Sequence, residues 1–266
     1  MISDFHVHTE FSGDCATPVR EQIERAIQLS MPSLCLTDHH DFDVHSGEID
    51  FNLDLEHYLP AMEQMRQEYE SAIQLLTGIE LGLQTHLNGY FDELLAAYEF
   101  DFIIGSTHFV HGLDPYYPQF FHGREEAKAY EEYFEVLLHN VKTLDQYDVV
   151  GHIDYIVRYG PNKNLFYRYE TYAELLEELL KTIIDKGKGI ECNTAGFRHG
   201  LKQPNPHPDI LRRYRELGGE IITVGSDAHT PSDLGLGFDT ARQLLLSCGY
   251  EYYTTFEKRK PVFHRL

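Results

Sequence analysis

Short apolar runs alternate with long amphipathic segments from one end of the chain to the other. Most of the runs are apolar at consecutive positions, which is typical of strands covered on both faces. The pattern predicts an α/β protein, built of strand–helix units around a parallel sheet or barrel. The predicted strands are residues 2–7, 33–36, 74–79, 102–105, 148–151, 189–192 and 220–225.

Helices are predicted between these strands. Thr17 and Pro18 suit the N-cap and the first helical position, and apolar residues recur at helical spacing from Ile23 onward. Gly187 is placed to end a later helix. The helices with the clearest predicted ends are residues 18–31, 124–144, 169–186 and 209–217.

The alternation continues without a low-complexity linker, and a length of 266 residues suits one large barrel. The candidate ligands described below come from both ends of the chain, so a division into domains would split their site. We therefore expect a single domain over residues 1–266. Three irregular stretches that follow predicted strands are candidate substrate loops, at residues 113–123, 159–167 and 197–208.

The formal net charge of −21 disfavours binding to long nucleic acids and to anionic membranes. The first residues lack the basic and apolar regions of a signal peptide, and no apolar run has membrane-spanning length. The four cysteines form no C-x-x-C pair. These features predict a cytoplasmic protein that acts on a small molecule.

Residues that bind metals follow nearly every predicted strand. His6 and His8 lie two positions apart on the first strand, so their side chains share one face. The carboxyl ends of parallel strands in a barrel converge, which would bring all these residues together. Imidazole and carboxylate without thiolate favour zinc, manganese or iron, and the supply is too large for one ion. The candidates are His6, His8, Asp14, His39, Glu80, His108, His152, Asp227 and His229.

Each of these residues also has a structural interpretation. A strand histidine is more often a core or surface group than a ligand, His39 could cap a helix, and Glu80 could be half of a buried ion pair. Asp14 lies in a turn-like sequence, and Asp227 could be an N-cap. Their shared position after strands is what favours a metal site over these separate explanations.

Six short motifs resemble the polymerase and histidinol phosphatase (PHP) family. They are HVHTEFS at 6–12, LTDH at 36–39, GIE at 78–80, STH at 106–108, GHID at 151–154 and GSDAH at 225–229. The resemblance implies a distorted TIM-like (β/α)7 barrel and three divalent ions. One ion would be held by His6, His8, Glu80 and Asp227; a second by Glu80, His108 and His152; and a third by Asp14, His39 and His229. Some family members carry histidine in place of Asp14.

Such a centre could attack a phosphomonoester with a hydroxide bound between two metals, with no side-chain nucleophile. Inversion at phosphorus is the corresponding expectation. Arg158 and Arg198 are the predicted phosphate ligands, because both follow strand ends and arginine binds phosphate bidentately. The alternative is that they are solvated loop charges, as Lys163 and Lys202 could be.

Two further segments, FFHGR at 120–124 and RHGLK at 198–202, resemble the histidinol-phosphate phosphatases of the family. This resemblance implies hydrolysis of L-histidinol phosphate to L-histidinol and phosphate in histidine biosynthesis. Candidates for holding the histidinol part are Tyr117, Phe120, Glu191 and Asn193, and candidates for the general acid are His45 and His199.

The sequence leaves three alternatives open. A related phosphoesterase could act on nucleotides or phosphotyrosine with the same metals. A C–N hydrolase of the amidohydrolase type is disfavoured, because such enzymes commonly carry a metal-bridging lysine on the fourth strand, and none is present there. A non-catalytic metal-binding module would be expected to have lost some ligands.

Overall fold

Seven parallel strands form one curled sheet in the computed structural model, which describes residues 2–44 and 49–266. Strands β1, β3, β4, β5, β6 and β7 follow one another across the sheet, and β2 pairs beside β1 on β3. All seven are almost wholly buried, as their apolar runs predict. Their bounds are β1 Ser33–Leu36, β2 His39–His40, β3 Gln74–Gly82, β4 Phe102–Ser106, β5 Val149–Val150, β6 Gly189–Asn193 and β7 Ile222–Gly225.

The strands β1 and β2 are one strand interrupted at Thr37 and Asp38. Ser33 pairs with Gln74 and His39 pairs with Glu80, so the register on β3 is the same on both sides of the break. The Asp38 carboxylate accepts hydrogen bonds from the backbone N–H and hydroxyl of Thr9. The interruption therefore ties the strand end to the segment that follows His8.

The predicted first strand, residues 2–7, is wrong as a regular strand. The segment is extended but makes only isolated parallel bridges, from Asp4 to Leu34 and from Val7 to Ala228. Side chains replace part of its ladder, since the N–H of Val7 donates to Thr37 Oγ1 at 3.1 Å. The segment nevertheless lies between β1 and β7 and closes the sheet into a distorted (β/α) barrel.

Helices connect the strands, and most agree with the predicted ones within a few residues. Thr17 is not the N-cap of α1: that position is Pro18, and the Thr17 hydroxyl donates instead to the carbonyl of His229 at 2.6 Å. Gly187 ends its helix with φ of 67°, as predicted. The helices are α1 Val19–Gln28, α2 Leu55–Tyr69, α3 Asn88–Ala97, α4 Glu126–Thr143, α5 Ala173–Asp185, α6 Ala195–Arg198, α7 Pro208–Glu216 and α8 Phe238–Ser247, with short 3-10 turns at Thr85–Leu87, Pro118–Phe121, Tyr155–Arg158 and Tyr169–Tyr172.

An antiparallel hairpin that the sequence pattern did not predict follows α8. Its strands are β8, Tyr252–Glu257, and β9, Lys260–Arg265. Phe256 of β8 packs with Phe5 and Phe102, and the Phe102 and Phe256 rings stack with centroids 5.0 Å apart. The hairpin thus adds to the barrel core. Within residues 2–44 and 49–266, no helix is both long and apolar enough to cross a membrane.

Candidate metal centre

The nine predicted metal ligands all lie at the carboxyl ends of the strands. His39 and Glu80 belong to β2 and β3, whereas His108 and His152 each come two residues after a strand. His6, His8, Glu80, His152 and Asp227 are almost completely buried, while Asp14 and His229 lie nearer the surface. The barrel topology therefore brings together residues from both ends of the sequence.

Glu80 lies at the centre of the cluster, and its Oε2 atom faces one set of histidines. This oxygen is 2.8 Å from Nδ1 of His39, 3.3 Å from Nε2 of His6 and 3.7 Å from Nε2 of His8. Three imidazole nitrogens surround this one carboxylate oxygen, and there is too little space for each nitrogen to carry a proton toward it. The arrangement fits a shared cation better than a set of ordinary hydrogen bonds.

The other oxygen of Glu80 faces a second set. Oε1 is 3.1 Å from Nε2 of His152 and 3.4 Å from Nε2 of His108, and it accepts a hydrogen bond of 2.6 Å from the Ser106 hydroxyl. The two oxygens therefore separate the histidines into two groups. This is the geometry of a carboxylate that can bridge two metal ions.

Asp227 lies beside His6 and His8, and it also lies close to His229, which is nearer the surface. Its Oδ1 atom is 3.5 Å from Nε2 of His8, 3.9 Å from Nε2 of His6 and 3.8 Å from Nδ1 of His229. Oδ2 of Asp14 lies 3.3 Å from Nε2 of His229. The same Asp14 oxygen lies 3.8 Å from His39 Nε2.

Unpaired buried atoms test whether the cluster fits metal ions. Nε2 of His6, Nε2 of His8, Nδ1 of His39 and Oε2 of Glu80 are buried and make no well-aligned hydrogen bond in the described part of the chain, although Oε2 and His39 Nδ1 lie 2.8 Å apart. Buried polar atoms nearly always have a partner. These four atoms face one another inside the cluster, so a cation between them would satisfy them together.

In several of these histidines, the ring nitrogen that points away from the cluster contacts a polar side chain. Nδ1 of His6 lies 2.6 Å from Glu191 Oε1, and Nδ1 of His8 lies 3.1 Å from the Ser12 hydroxyl. Groups behind a ligand that fix its ring orientation are typical of metal-binding histidines. Glu191 is buried there and also accepts from the backbone N–H of His152, so it is not at the cavity as a histidinol contact would be.

Asp41 is a further residue of this kind, and it was not among the residues predicted from the sequence. Its Oδ1 atom lies 2.9 Å from Nδ1 of His108, and its Oδ2 atom lies 3.7 Å from Nδ1 of His39. Its position directly after the two histidines of β2 was a signal that could have drawn attention to it.

The electrostatics keep the carboxylates charged. Burial opposes ionisation of Glu80, but His6 and His39 hold the pKa of Glu80 well below its usual range. Burial is likewise overcome at Asp227, where His6 and Arg158 hold the pKa well below its usual range. Burial and the neighbouring His39 lower the pKa of His8 well below its usual range, so its imidazole is neutral and able to bind a metal.

Arg158 and Arg198, the predicted phosphate ligands, both lie at the cavity and both contact the Asp227 loop. Arg158 is buried and donates from Nη1 to Asp227 Oδ2 at 2.8 Å. Arg198 donates to the carbonyls of Ser226 and Asp227, each at 2.7 Å. Lys163 instead donates to the carbonyl of His199 at 2.6 Å.

The cluster opens into a cavity of about 360 Å³. The predicted loops supply part of its wall, including Asp114, Tyr116, Tyr117, Tyr159 and His199. Its remaining lining residues are Asp14, His39, Asp41, Ile49, Phe51, His108, Phe109, His152, Tyr155, Arg158, Arg198, Asp227 and His229.

Of the other residues proposed for histidinol binding and for proton donation, some line the cavity and others are packed away from it. Tyr117 lines the cavity, whereas Phe120 packs under Arg124 and Asn193 is buried behind Asp227. Burial and the nearby Arg158 lower the pKa of His199 to about 4, so near neutral pH it lacks the proton that a general acid needs. His45 lies outside the described residues.

A barrel with such a cluster at its carboxyl-terminal face is typical of metal-dependent hydrolases. The PHP domain family model matches residues 4–195, and the chain belongs to this family. A histidinol-phosphatase from Lactococcus lactis is 29% identical over 97% of this chain and 95% of its own length. A probable histidinol-phosphatase from Clostridium acetobutylicum is 30% identical over 97% of this chain and 98% of its own.

The same likeness is found among solved structures. The crystal structure of the Lactococcus lactis histidinol phosphate phosphatase, in complex with zinc, L-histidinol and phosphate, has a TM-score of 0.90 with this chain at 28% identity. The match covers 98% of this chain and 100% of that one.

Proposed function

We propose that this chain is a histidinol-phosphatase, a metal-dependent phosphomonoester hydrolase that converts L-histidinol phosphate to L-histidinol and phosphate in histidine biosynthesis. The observation that carries the proposal is the full-length likeness to a phosphatase whose structure holds zinc, L-histidinol and phosphate. We treat residues 1–266 as one domain. The four cysteines are free thiols, which fits a cytoplasmic location.

Three divalent ions, zinc, manganese or iron, are proposed for the cluster. The two faces of Glu80 support one site with His6, His8 and Asp227, and another with His108 and His152. The contacts of Asp14 with His39 and His229 support a third. Such ions, when bound, lower the pKa of a water molecule and offset the charge of a phosphoryl group.

The chain's own residues position the phosphate in this proposal. Each terminal nitrogen of Arg158 and Arg198 carries two N–H groups and uses one of them. Those of Arg158 donate to Asp227 and Asn193, and those of Arg198 donate to the carbonyls of Ser226 and Asp227. The remaining N–H groups are available for phosphate oxygens at the cavity. Neither a serine nor a cysteine is among the described lining residues, which supports hydrolysis without a phosphoserine or phosphocysteine intermediate.

A substrate panel tests the proposal. The kcat/KM values for L-histidinol phosphate, AMP, phosphotyrosine and p-nitrophenyl phosphate would be compared on protein of measured metal content. We expect L-histidinol phosphate to exceed the other three by at least about 10-fold, because one buried charge-assisted contact accounts for that much. A value no higher than that for AMP or p-nitrophenyl phosphate would contradict the assignment.

A further inference from the structure

One residue of the GHID motif has no role in the metal cluster described above. Asp154 comes two residues after His152 and directly before the 3-10 turn Tyr155–Arg158, where a carboxylate could cap the turn. Its side chain makes no hydrogen bond to that turn, and it is completely buried. The partners of the carboxylate therefore lie elsewhere.

These partners lie in the loop at 197–208. Oδ1 of Asp154 accepts a hydrogen bond of 2.6 Å from Nδ2 of Asn205, and Oδ2 accepts one of 2.8 Å from the backbone N–H of His207. Arg158 forms its ion pair with Asp227 and not with Asp154. Asp154 is thus held by two neutral donors of this loop.

Asp154 determines which way the Asn205 amide faces. A carboxylate only accepts hydrogen bonds, so the amide must turn its NH2 group toward Asp154 and its oxygen away from it. That oxygen, Oδ1, accepts from Nε of Arg158 at 2.8 Å. Asp154, Asn205 and Arg158 therefore form a buried chain in which each hydrogen bond fixes the next one.

We infer that Asp154 is a positioning residue for Arg158: through Asn205 it fixes the guanidinium whose remaining N–H groups are proposed to bind the phosphate. Asp227 and Asn193 each accept from one terminal nitrogen of Arg158. The contact with Asn205 instead uses Nε, where the planar guanidinium joins its aliphatic stem. The inference rests on the proposed function, because it requires Arg158 to bind phosphate.

Asp154→Asn should break the chain although it preserves the shape of the side chain. The backbone N–H of His207 can only donate, so it keeps the oxygen of the new amide and turns the new NH2 group toward Asn205. Two NH2 groups then face each other, or Asn205 flips and points its own NH2 group at Nε of Arg158. Either result removes a hydrogen bond of the chain. We expect kcat/KM for L-histidinol phosphate to fall, and Kd for inorganic phosphate to rise, by about 10- to 100-fold, the range for losing one hydrogen bond to a charged group.

The double variant Asp154→Asn/Asn205→Asp should restore the chain with its charge moved to the other residue. The NH2 group at position 154 can then donate to the carboxylate at position 205, which accepts from Nε of Arg158. Asn205→Asp alone places two carboxylates against each other, so it should be impaired as well. We expect the double variant to exceed both single variants in kcat/KM by at least about 10-fold, because the pair acts as a unit.

Stability and phosphate binding separate positioning from packing. Urea unfolding and metal content are measured for each variant, and Kd for inorganic phosphate is measured by calorimetry on the metal-loaded protein. Asp185→Asn, which removes an exposed charge at the end of α5, should match the wild-type protein in every measurement.

A double variant that is no better than the single variants contradicts the inference, and so does one that regains stability but not phosphate binding. Wild-type phosphate affinity and kcat/KM in Asp154→Asn would contradict it too. A wild-type protein that binds phosphate without preferring L-histidinol phosphate as a substrate contradicts the proposed function instead, and the phosphate affinities of the variants then still decide the role of Asp154.

Discussion

Arg158 donates a hydrogen bond of 2.8 Å from Nη1 to Oδ2 of Asp227, and both side chains are buried. The guanidinium is bonded at every nitrogen, since Nε donates to Asn205 and Nη2 donates to Asn193, each at 2.8 Å. Arg158 therefore fixes Asp227, whose backbone has a φ of 55° that few non-glycine residues adopt. Arg158, predicted from the sequence as a phosphate ligand, thus holds in place a residue proposed as a metal ligand.

Arg158→Met should lower both stability and metal content. The substitution leaves the Asp227 carboxylate without its buried partner, and breaking a buried ion pair costs about 3–5 kcal/mol. Urea unfolding and metal analysis check this prediction. Arg20→Met provides the control, because the Arg20–Glu68 pair is exposed and its loss should change neither quantity measurably. Equal effects of the two substitutions would contradict the structural role of Arg158.

Glu80→Gln should remove metal from two of the proposed sites at once. Glutamine preserves the shape of the side chain but not the charge that faces His6, His39, His108 and His152. We expect kcat/KM to fall by more than about 100-fold, because even residues behind metal ligands have effects of 10- to 100-fold. Glu174→Gln, at an exposed position of α5, should retain activity and metal. Full metal content in Glu80→Gln would show that this carboxylate is not a ligand.

His40 should make the protein sensitive to acid. Its Nδ1 accepts from the N–H of Leu53 at 3.0 Å and its Nε2 donates to the Tyr90 hydroxyl at 2.7 Å, so the ring is neutral. Burial lowers the pKa of His40 to about 4. The unfolded chain therefore binds a proton that the folded chain excludes, and stability should fall as pH decreases from about 6.5 to about 4.

Urea unfolding at several pH values checks this expectation. In His40→Asn the slope of unfolding free energy against pH should be smaller in that window by up to about 1.4 kcal/mol per pH unit, the effect of one proton. His139→Asn is the control, because His139 is exposed on α4 and its substitution should change the slope less than that of the buried His40. A wild-type slope in His40→Asn would mean that other groups account for acid sensitivity.

Phe256→Ala should destabilise the barrel without acting directly on the metal cluster. The ring packs against Phe102 in the core, and removing a buried phenylalanine side chain costs about 3–5 kcal/mol. Phe263→Ala, on the other strand of the hairpin and 46% exposed, should cost much less. Thermal unfolding of the two variants provides the comparison. Equal stability of the Phe256→Ala and Phe263→Ala variants would mean that the hairpin adds little to the core.

The convergence of the nine candidate ligands was predictable because these residues follow strands, and parallel strands converge at their carboxyl ends whatever the helices between them do. The contacts behind the ligands were not predictable. Glu191 lies behind His6 although 185 residues separate them, and Asp41 reaches His108 across 67 residues. The sequence pattern also marked residues 2–7 as an ordinary strand, because it does not show that side chains such as Thr37 replace part of the ladder.

We expect hydrolysis of L-histidinol phosphate to require metal ions bound at this cluster. Phosphate release would be measured before chelation, after the metals are removed, and after reconstitution with zinc or manganese in known stoichiometry. We predict that activity is lost with the metals and returns as they are restored, reaching its maximum at about three ions per chain. Full activity in the metal-free protein, or none in the fully reconstituted one, would contradict the account.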